Sequence, residues 1–398
     1  MTPEPLSFAG MTLDTPRLMG VVNVTPDSFS DGGDFLDAQA AIDHGKRLVD
    51  DGAHILDIGG ESTRPGSKPI TVDEECGRIL PVIDGLADIG VPISVDTRHA
   101  DVMRRAIDAG ASIVNDVTAL TGDPNSIEVC AETGVDVALM HMQGTPETMQ
   151  DDPTYDDAAL DIVDYMRERI ETLEAAGIGR DKICVDPGIG FGKTLEHNLR
   201  ILSAIDAFHE LGVPILLGVS RKSFITKIDR NVPAKDRVAG SIAAAIAGWD
   251  RGVQIFRVHD VAETRQALAV WQAIEDAGVN AHDIDFTVAG SMAQASYDAY
   301  MTPRHIGIYA GVPVDRPAHL VQRICGTGIE VILQAADHIS LGRGDLALCV
   351  GTESMSRNPI AAYTHRSGFR MGQVEFKDFL WEALLDPAVS CTMGDTAE

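Results

Sequence analysis

From Leu18 to about Ala277 the chain repeats one pattern eight times: a short apolar run that ends in polar residues, then an amphipathic stretch. The runs are LMGVVNV, AHILDIGG, VPISVD, ASIVNDV, VDVALMHM, KICVDPG, VPILLGVS and VQIFRVHD. Their length and apolar continuity suit strands buried on both faces. Stretches such as AQAAIDHGKRLVDDG, ADVMRRAIDAG, ALDIVDYMRERIETLEAAG and RVAGSIAAAIAGWDRG have the spacing of helices with one apolar side. Eight βα units of this kind predict an α/β fold, a parallel TIM (β/α)8 barrel wrapped in helices. An open doubly wound sheet is the alternative, because a sequence does not show closure.

Polar residues fall at the C-terminal end of every run. In order they are Asn23; Glu61, Ser62, Thr63 and Arg64; Asp96; Asn115 and Asp116; His141; Asp186; Ser220, Arg221 and Lys222; and Arg257, His259 and Asp260. In a barrel those ends share one mouth, where the chemistry sits. Solvated loops also end strands in polar residues, but eight chemically varied ends favour a binding site. The first of them, LMGVVNVTPDSFSDGG at Leu18–Gly33, breaks from its apolar run into Asn23, Thr25, Pro26, Asp27, Ser28, Ser30, Asp31 and paired glycines. Read alone, it could equally be a turn capping a helix that begins near Asp37.

Composition narrows the class. A length of 398 residues suits a barrel plus a smaller partner. A net charge of -28, from 60 Asp and Glu against 32 Lys and Arg, argues against nucleic acid or an anionic membrane as partner. It is compatible with a salt-rich cytosol. An anionic substrate would then need locally placed Arg, Lys or metal, since the overall field repels it. The six cysteines (Cys76, Cys130, Cys184, Cys325, Cys349 and Cys391) are scattered, with no CxxC and no Cys/His metal spacing, as expected of reduced thiols in a cytoplasmic protein. The start, MTPEPLSFAG, has no basic region followed by an apolar run, so no signal peptide is expected, and no run reaches membrane-spanning length.

Several ends carry recognisable chemistry. Lys222, Arg257 and His259 put cationic donors on runs seven and eight, where barrels frequently hold phosphate. Alternatively, Arg257 pairs with a surface carboxylate and His259 caps the next helix. Asp96 and Asp186 can each accept paired N–H donors from a heterocycle at the mouth of a dry barrel, although Asp96 also suits a helix N-cap before TRHADVMRR. Asn115 offers donor and acceptor together, as a ring amide requires. The stretch DPGIGFGKT at Asp186–Thr194 fails the phosphate-loop spacing, because Pro187 stands where the first glycine should be. Its glycines would let the backbone approach a flat ligand, with Phe191 as stacking face or as core filler. Asn23 has no partner cluster of carboxylates, yet one protein oxygen with substrate phosphates and waters is an acceptable way to hold Mg2+.

The motifs VVNVTPDSFSDGG, DIGGESTRPG, SVDT, IVNDV, DPGIGFGKT, GVSRKSFI and FRVHD, in that order, closely resemble the dihydropteroate synthase family over roughly residues 15–277. The resemblance implies condensation of p-aminobenzoate with a dihydropterin pyrophosphate, releasing pyrophosphate, in a domain spanning 1–278. Carried across by motif, Asp96, Asn115, Asp186 and Lys222 form the pterin set, lined by Met140 and Gly218. Asn23, Arg64, Arg257 and His259 match the pyrophosphate and Mg2+ positions, with Asn23 as the metal ligand. Phe29, Thr63, Pro65, Phe191 and Ser223 match the p-aminobenzoate pocket, and Asp31 the loop residue that steadies the developing cation. Asp31, Lys222 and Asp186 are thus the implied catalytic residues, small molecules the partners, Mg2+ the cofactor and a homodimer the assembly. The p-aminobenzoate amine is already nucleophilic, so no Ser/His or Cys/His arrangement is required. A non-catalytic pterin binder and a relative of the methyltetrahydrofolate-dependent methyltransferases are the rival readings; the loop SDGG with Asp31 and SRKS with Lys222 favour the synthase.

From about Val279 the chain resembles something else, the first half of a thiolase, through HLVQRICGTGIEVILQAADHISLGRGDLALCVGTESMSRNPI and MGDTAE. The resemblance puts Cys325 where that family places its acylated nucleophile, ahead of a helix whose dipole would lower a thiol pKa. Residues 279–398 lack that family's opening strand and helix, and stop before the parts that bring its catalytic His and second Cys; His338 and His365 stand in no matching motif. Thiolase activity from this chain alone is therefore not expected. The preferred reading is a fused, truncated and incompletely folded α/β segment with an exposed sheet edge. An association module is the other, since thiolases dimerise through this half, and a carrier or scaffold for acyl-CoA using Cys325 is a third.

Overall fold

A computed structural model describes residues 6–25, 34–63, 67–293, 299–353, 358–362, 368, 374–386 and 388–392. The chain divides into two compact units, Met1–Ala269 and Val270–Glu398.

The first unit is built on eight parallel strands: β1 (Arg17–Asn23), β2 (Ile55–Gly59), β3 (Ile93–Asp96), β4 (Ile113–Asp116), β5 (Asp136–Met140), β6 (Ile183–Asp186), β7 (Leu216–Leu217) and β8 (Ile255–Val258). They hydrogen-bond in the order β6-β5-β4-β3-β2-β1-β8-β7. The ring closes where Val185 bridges Ile215 and donates its N–H to the Pro214 carbonyl at 2.9 Å. Closure decides for the barrel over the open sheet.

The two-residue period of a strand splits each run between two interiors. Outward residues such as Leu56, Ile58, Val95, Val114, Leu139, Val185, Leu217 and Phe256 join the core beneath the helices. Inward residues Met19, Ile55, Ile113, Ala138, Cys184, Leu216 and Ile255 form a second, separate cluster with Phe8 and Leu13. Phe8 belongs to a hairpin pairing Ser7–Phe8 with Met11–Thr12, which stoppers the N-terminal end of the barrel. Two residues further along the strands, the inward positions are Asp57, Asn115, Asp186 and Arg257. The interior thus passes from apolar to charged within one side-chain layer.

The helices of this unit are α1 (Asp34–Asp50), α2 (Val72–Leu86), α3 (Ala100–Asp108), α4 (Ser126–Thr133), α5 (Ala158–Ala175), α6 (Leu195–Ser203), α7 (Phe224–Ile228) and α8 (Val238–Asp250), with α9 (Val261–Asp276) running into the second unit. Their starts use side-chain acceptors for orphan N–H groups. Thr71 accepts from Glu74, Asp157 accepts from Ala159 and Leu160, and Thr194 exchanges reciprocal bonds with His197 at the start of α6. Helix α1 begins at Asp34, upstream of the start expected near Asp37. Among the described residues no helix is long and apolar enough to cross a membrane.

The second unit is smaller. Strand β9 (Phe286–Gly290) lies between β10 (Ala318–Val321) and β11 (Ala347–Gly351), all parallel. Helices α10 (Thr302–Tyr309) and α11 (Thr327–Ser340) connect them in sequence. Its cores are short: Phe286, Val288, Val321, Val331 and Ala335 in one, and Ile274, Ile284, Ala310 and Val312 in the other.

Candidate active site

At the C-terminal end of the barrel, register sets Gly59, Asp96 and Asn115 side by side and Met140 beside Asp186. Asp96 does not cap a helix; the cap position of α3 is His99. Its carboxylate instead turns inward to Arg257, whose Nη2 donates to Asp96 Oδ2 at 2.8 Å. The Nε of the same guanidinium donates to Asp57 Oδ2 at 2.6 Å. Asp57 is fully buried, and its Oδ2 also accepts from Asn115 Nδ2 at 3.2 Å. Arg257 therefore faces interior carboxylates, not the surface one considered from sequence. Burial opposes its charge, but Asp57 and Asp96 outweigh that and hold its pKa above the usual arginine range. Burial, only partly offset by Arg257, pushes Asp96 up from the usual carboxylate range.

Asp186 and Lys222 make the opposite wall. Burial raises the Asp186 carboxyl, while the Gly188 N–H, donating to Oδ1 at 2.7 Å, and the Lys222 charge pull the other way. Burial lowers the Lys222 ammonium to about 8 against the raising pull of Asp186. Its Nζ sits 4.0 Å from the centre of the Phe191 ring, a cation–π contact. Gly218 lies against this wall, where a Cβ would come to 3.4 Å from Asp186 Oδ2, an ordinary contact.

The turn that delivers Lys222 is held by its neighbour. Arg221 adopts φ 58°, a left-handed conformation uncommon for a side-chain-bearing residue. Its guanidinium grips Asp260 through Nε at 3.0 Å and Nη2 at 2.5 Å, and its N–H donates to Ser241 Oγ at 2.8 Å. His259 Nδ1 lies 3.0 Å from Ser220 Oγ at the same rim. The β2 loop is fastened similarly: Arg98 binds Glu61 through two bonds of 2.9 and 3.1 Å, and Glu61 accepts the Ile70 N–H.

The structure thus brings Asp96, Asn115, Met140, Asp186, Gly218, Lys222, Phe191, Arg257 and His259 to one end of the barrel. Asn23 ends β1 opposite Gly59, and Thr63 follows β2, both half-buried. Ser223 is exposed beside Lys222. Phe29, Asp31, Arg64 and Pro65 lie outside the described residues. Cys325 is elsewhere, exposed in a short turn before α11. Asp57 was not singled out from sequence. Its signal is an acidic residue two positions inside an otherwise apolar run, at inward parity.

Fold and site together define a barrel enzyme whose mouth presents buried carboxylates, an amide and cations to a small polar ligand. A family model described as pterin binding enzyme matches residues 19–259. The dihydropteroate synthase of Escherichia coli K12 is 45% identical over 271 residues, covering 68% of this chain and 95% of that protein. The chain belongs to the dihydropteroate synthase family. Among solved structures, that of the Xanthomonas albilineans synthase with 4-aminobenzoic acid is 47% identical with a TM-score of 0.64, covering 69% of this chain and 99% of that one. The same enzyme with 7,8-dihydropteroate is 45% identical with a TM-score of 0.61, covering 67% and 95%. A second family model, the thiolase N-terminal domain, matches residues 256–398.

Proposed function

We infer that this chain condenses p-aminobenzoate with a hydroxymethyl-dihydropterin pyrophosphate to give dihydropteroate and pyrophosphate. The observation that carries the reading is the buried array at the barrel mouth, where Arg257 ties Asp57 to Asp96 and Lys222 faces Asp186. A carboxylate sunk in a dry wall suits the paired N–H donors of a pterin, which is the role assigned to Asp186, with Asn115 and Asp96 on the ring's other edges. Lys222 completes that set, with Met140 and Gly218 as apolar lining.

In the reaction the methylene C–O bond breaks with its electron pair going to the departing pyrophosphate. The amine nitrogen then bonds the cationic carbon and loses its proton to solvent. Positioning and electrostatics carry such a step without a protein nucleophile. Arg257 and His259, with Arg64, are assigned to the diphosphate; Phe29, Thr63, Pro65, Phe191 and Ser223 to p-aminobenzoate; and Asp31 to the developing cation. Among the described residues no group of three His, Cys, Asp or Glu is arranged to hold a metal. The Asn23 amide oxygen fits a Mg2+ that arrives on the diphosphate, where the ion would neutralise leaving-group charge.

The scattered free thiols support a cytoplasmic location. The barrel is proposed to span 1–278 and to act as a homodimer, with 279–398 as an appendage; light scattering on the full chain reads the assembly. The test of the activity is pyrophosphate release by the purified full-length chain. Release that needs p-aminobenzoate, dihydropterin pyrophosphate and Mg2+ together is expected. A folded chain that releases none with all three present would overturn the reading.

A further inference from the structure

Lys193 is one of the largest fully buried side chains of the molecule, at 1% exposure, and it ends the glycine-rich stretch that follows Asp186. Its ammonium touches no carboxylate among the described residues. Each of its three N–H groups has a neutral acceptor instead: the Phe191 carbonyl at 2.8 Å, the His141 carbonyl at 3.2 Å and His141 Nδ1 at 3.1 Å. Burial, against the raising pull of Asp186, lowers this ammonium to about 7. An ammonium buried without a counter-charge is costly, and its bonds to neutral acceptors are what offset that cost.

Those bonds join two elements. His141 directly follows β5 and packs edge-on against Tyr165, with ring centres 5.0 Å apart. Phe191 belongs to the loop after β6 and lays its ring on Lys222. The loop lies hard against the end of β5: Gly188 has φ 70°, and a Cβ there would stand 2.0 Å from the His141 carbonyl oxygen. A second strut, the Tyr155 hydroxyl donating to the Gly192 carbonyl at 2.8 Å, holds the next residue but one before Thr194.

We propose that Lys193 is a positioning residue for the p-aminobenzoate end of the site, an internal tether that fixes the Phe191 backbone to the end of β5 and so sets the Phe191 ring over Lys222. It touches no reacting atom. The proposal rests on the synthase reading for its substrate assignment but not for the tether itself. Removing the tether loosens Phe191 while leaving Asp186, which is the last residue of β6 and is fixed by that strand's pairing with β5.

The test uses the full-length chain with Lys193→Met, which keeps the length and removes the donors. Hydrogen exchange of a peptide spanning 186–194 reads the tether without turnover and should speed up several-fold. In steady state the KM for p-aminobenzoate should rise roughly tenfold, with kcat and the calorimetric affinity for dihydropterin pyrophosphate within about twofold of wild type. Unchanged exchange, or equal losses for both substrates, would overturn the proposal. If Lys193→Met does not fold, His141→Phe decides: it keeps the ring packing and the carbonyl acceptor but removes one of three acceptors. It should move the same exchange and the same KM in the same direction by roughly two- to threefold, and no movement overturns the proposal. A wild-type chain without turnover would count against the synthase reading alone, since the exchange comparison still reports on the tether.

Discussion

The two units of this chain use the same parallel βα grammar with different outcomes. In the barrel, β2 through β7 are buried along almost their whole length, and closure leaves no strand at an edge. Among the described residues of the second unit, β9 is the strand buried throughout. Strand β11 has Cys349 and Gly351 exposed, and α11 buries Val331 and Ala335 while Ile329, Ile332 and Leu333 face outward. Closing a sheet on itself creates an interior that water does not reach, and there a carboxylate or an ammonium acquires unusual chemistry. A three-stranded sheet over two short cores offers no such place. Among the described residues the groups with strongly displaced titration, Asp96, Asp116, His141, Lys193 and Lys222 among them, lie in the first unit.

This contrast can be broken by experiment. The largest effect is expected from Asp186→Asn. The amide can still accept the Gly188 N–H, so the fold should survive, but a charge-assisted pair to the substrate worth about 3 kcal/mol is lost, lowering kcat/KM by roughly 10²–10³-fold. Near-normal pyrophosphate release in this variant would remove Asp186 from the site. Asp57→Asn comes next. It strips Arg257 of one of its two buried carboxylates and should reduce the unfolding free energy by about 3 kcal/mol in a urea titration. An unchanged midpoint would mean that Asp96 alone satisfies the guanidinium.

A pH series sharpens the same distinction. Lys193 and Lys222 titrate at about 7 and 8 in the folded chain, below an unfolded lysine. Between those values and about 10.4 the unfolded chain holds more protons, so stability rises with pH across that window. It is lost as pH falls through the folded values. Asp116, raised by burial to about 6, acts in the acid range, adding stability below the unfolded aspartate value that is lost as pH rises through 6. From pH 7 to 9.5 the barrel should gain on the order of 3 kcal/mol in urea unfolding from Lys193, and Lys193→Met should remove that share while leaving the smaller one from Lys222. A slope identical in both proteins would show that the buried ammonium does not titrate in this range. Smaller effects belong to the second unit. Protease cuts within 279–398 should leave turnover within about twofold, and abolished turnover would tie that unit to the site. Cys325→Ser should change nothing measurable in turnover, and its thiol should react with iodoacetamide at a free-thiol rate; a faster rate would mark an activated sulfur.

Much of the barrel was legible because its signal is local. Each strand announces itself by an apolar run, and the residues ending the runs, Asp96, Asn115, Asp186, Lys222 and Arg257, sit where the wall meets solvent. What stayed hidden depends on closure. Arg257 and Asp57 are 200 positions apart and meet only because β1 pairs with both β2 and β8. Without that ring, Asp57 reads as an interruption in an apolar stretch. Lys193 was hidden for a different reason. A lysine beside glycines suggests a phosphate ligand, and only the three-dimensional path of the loop turns it inward toward His141.

The hairpin that stoppers the N-terminal end of the barrel leaves the C-terminal end as the side on which the site opens. On the proposed assignment the pterin residues Asn115 and Asp186 lie near the floor, while Thr63, Phe191 and Ser223 stand at the lip. On that assignment the pterin settles below p-aminobenzoate, and an aminobenzoate that arrives first stands in its way.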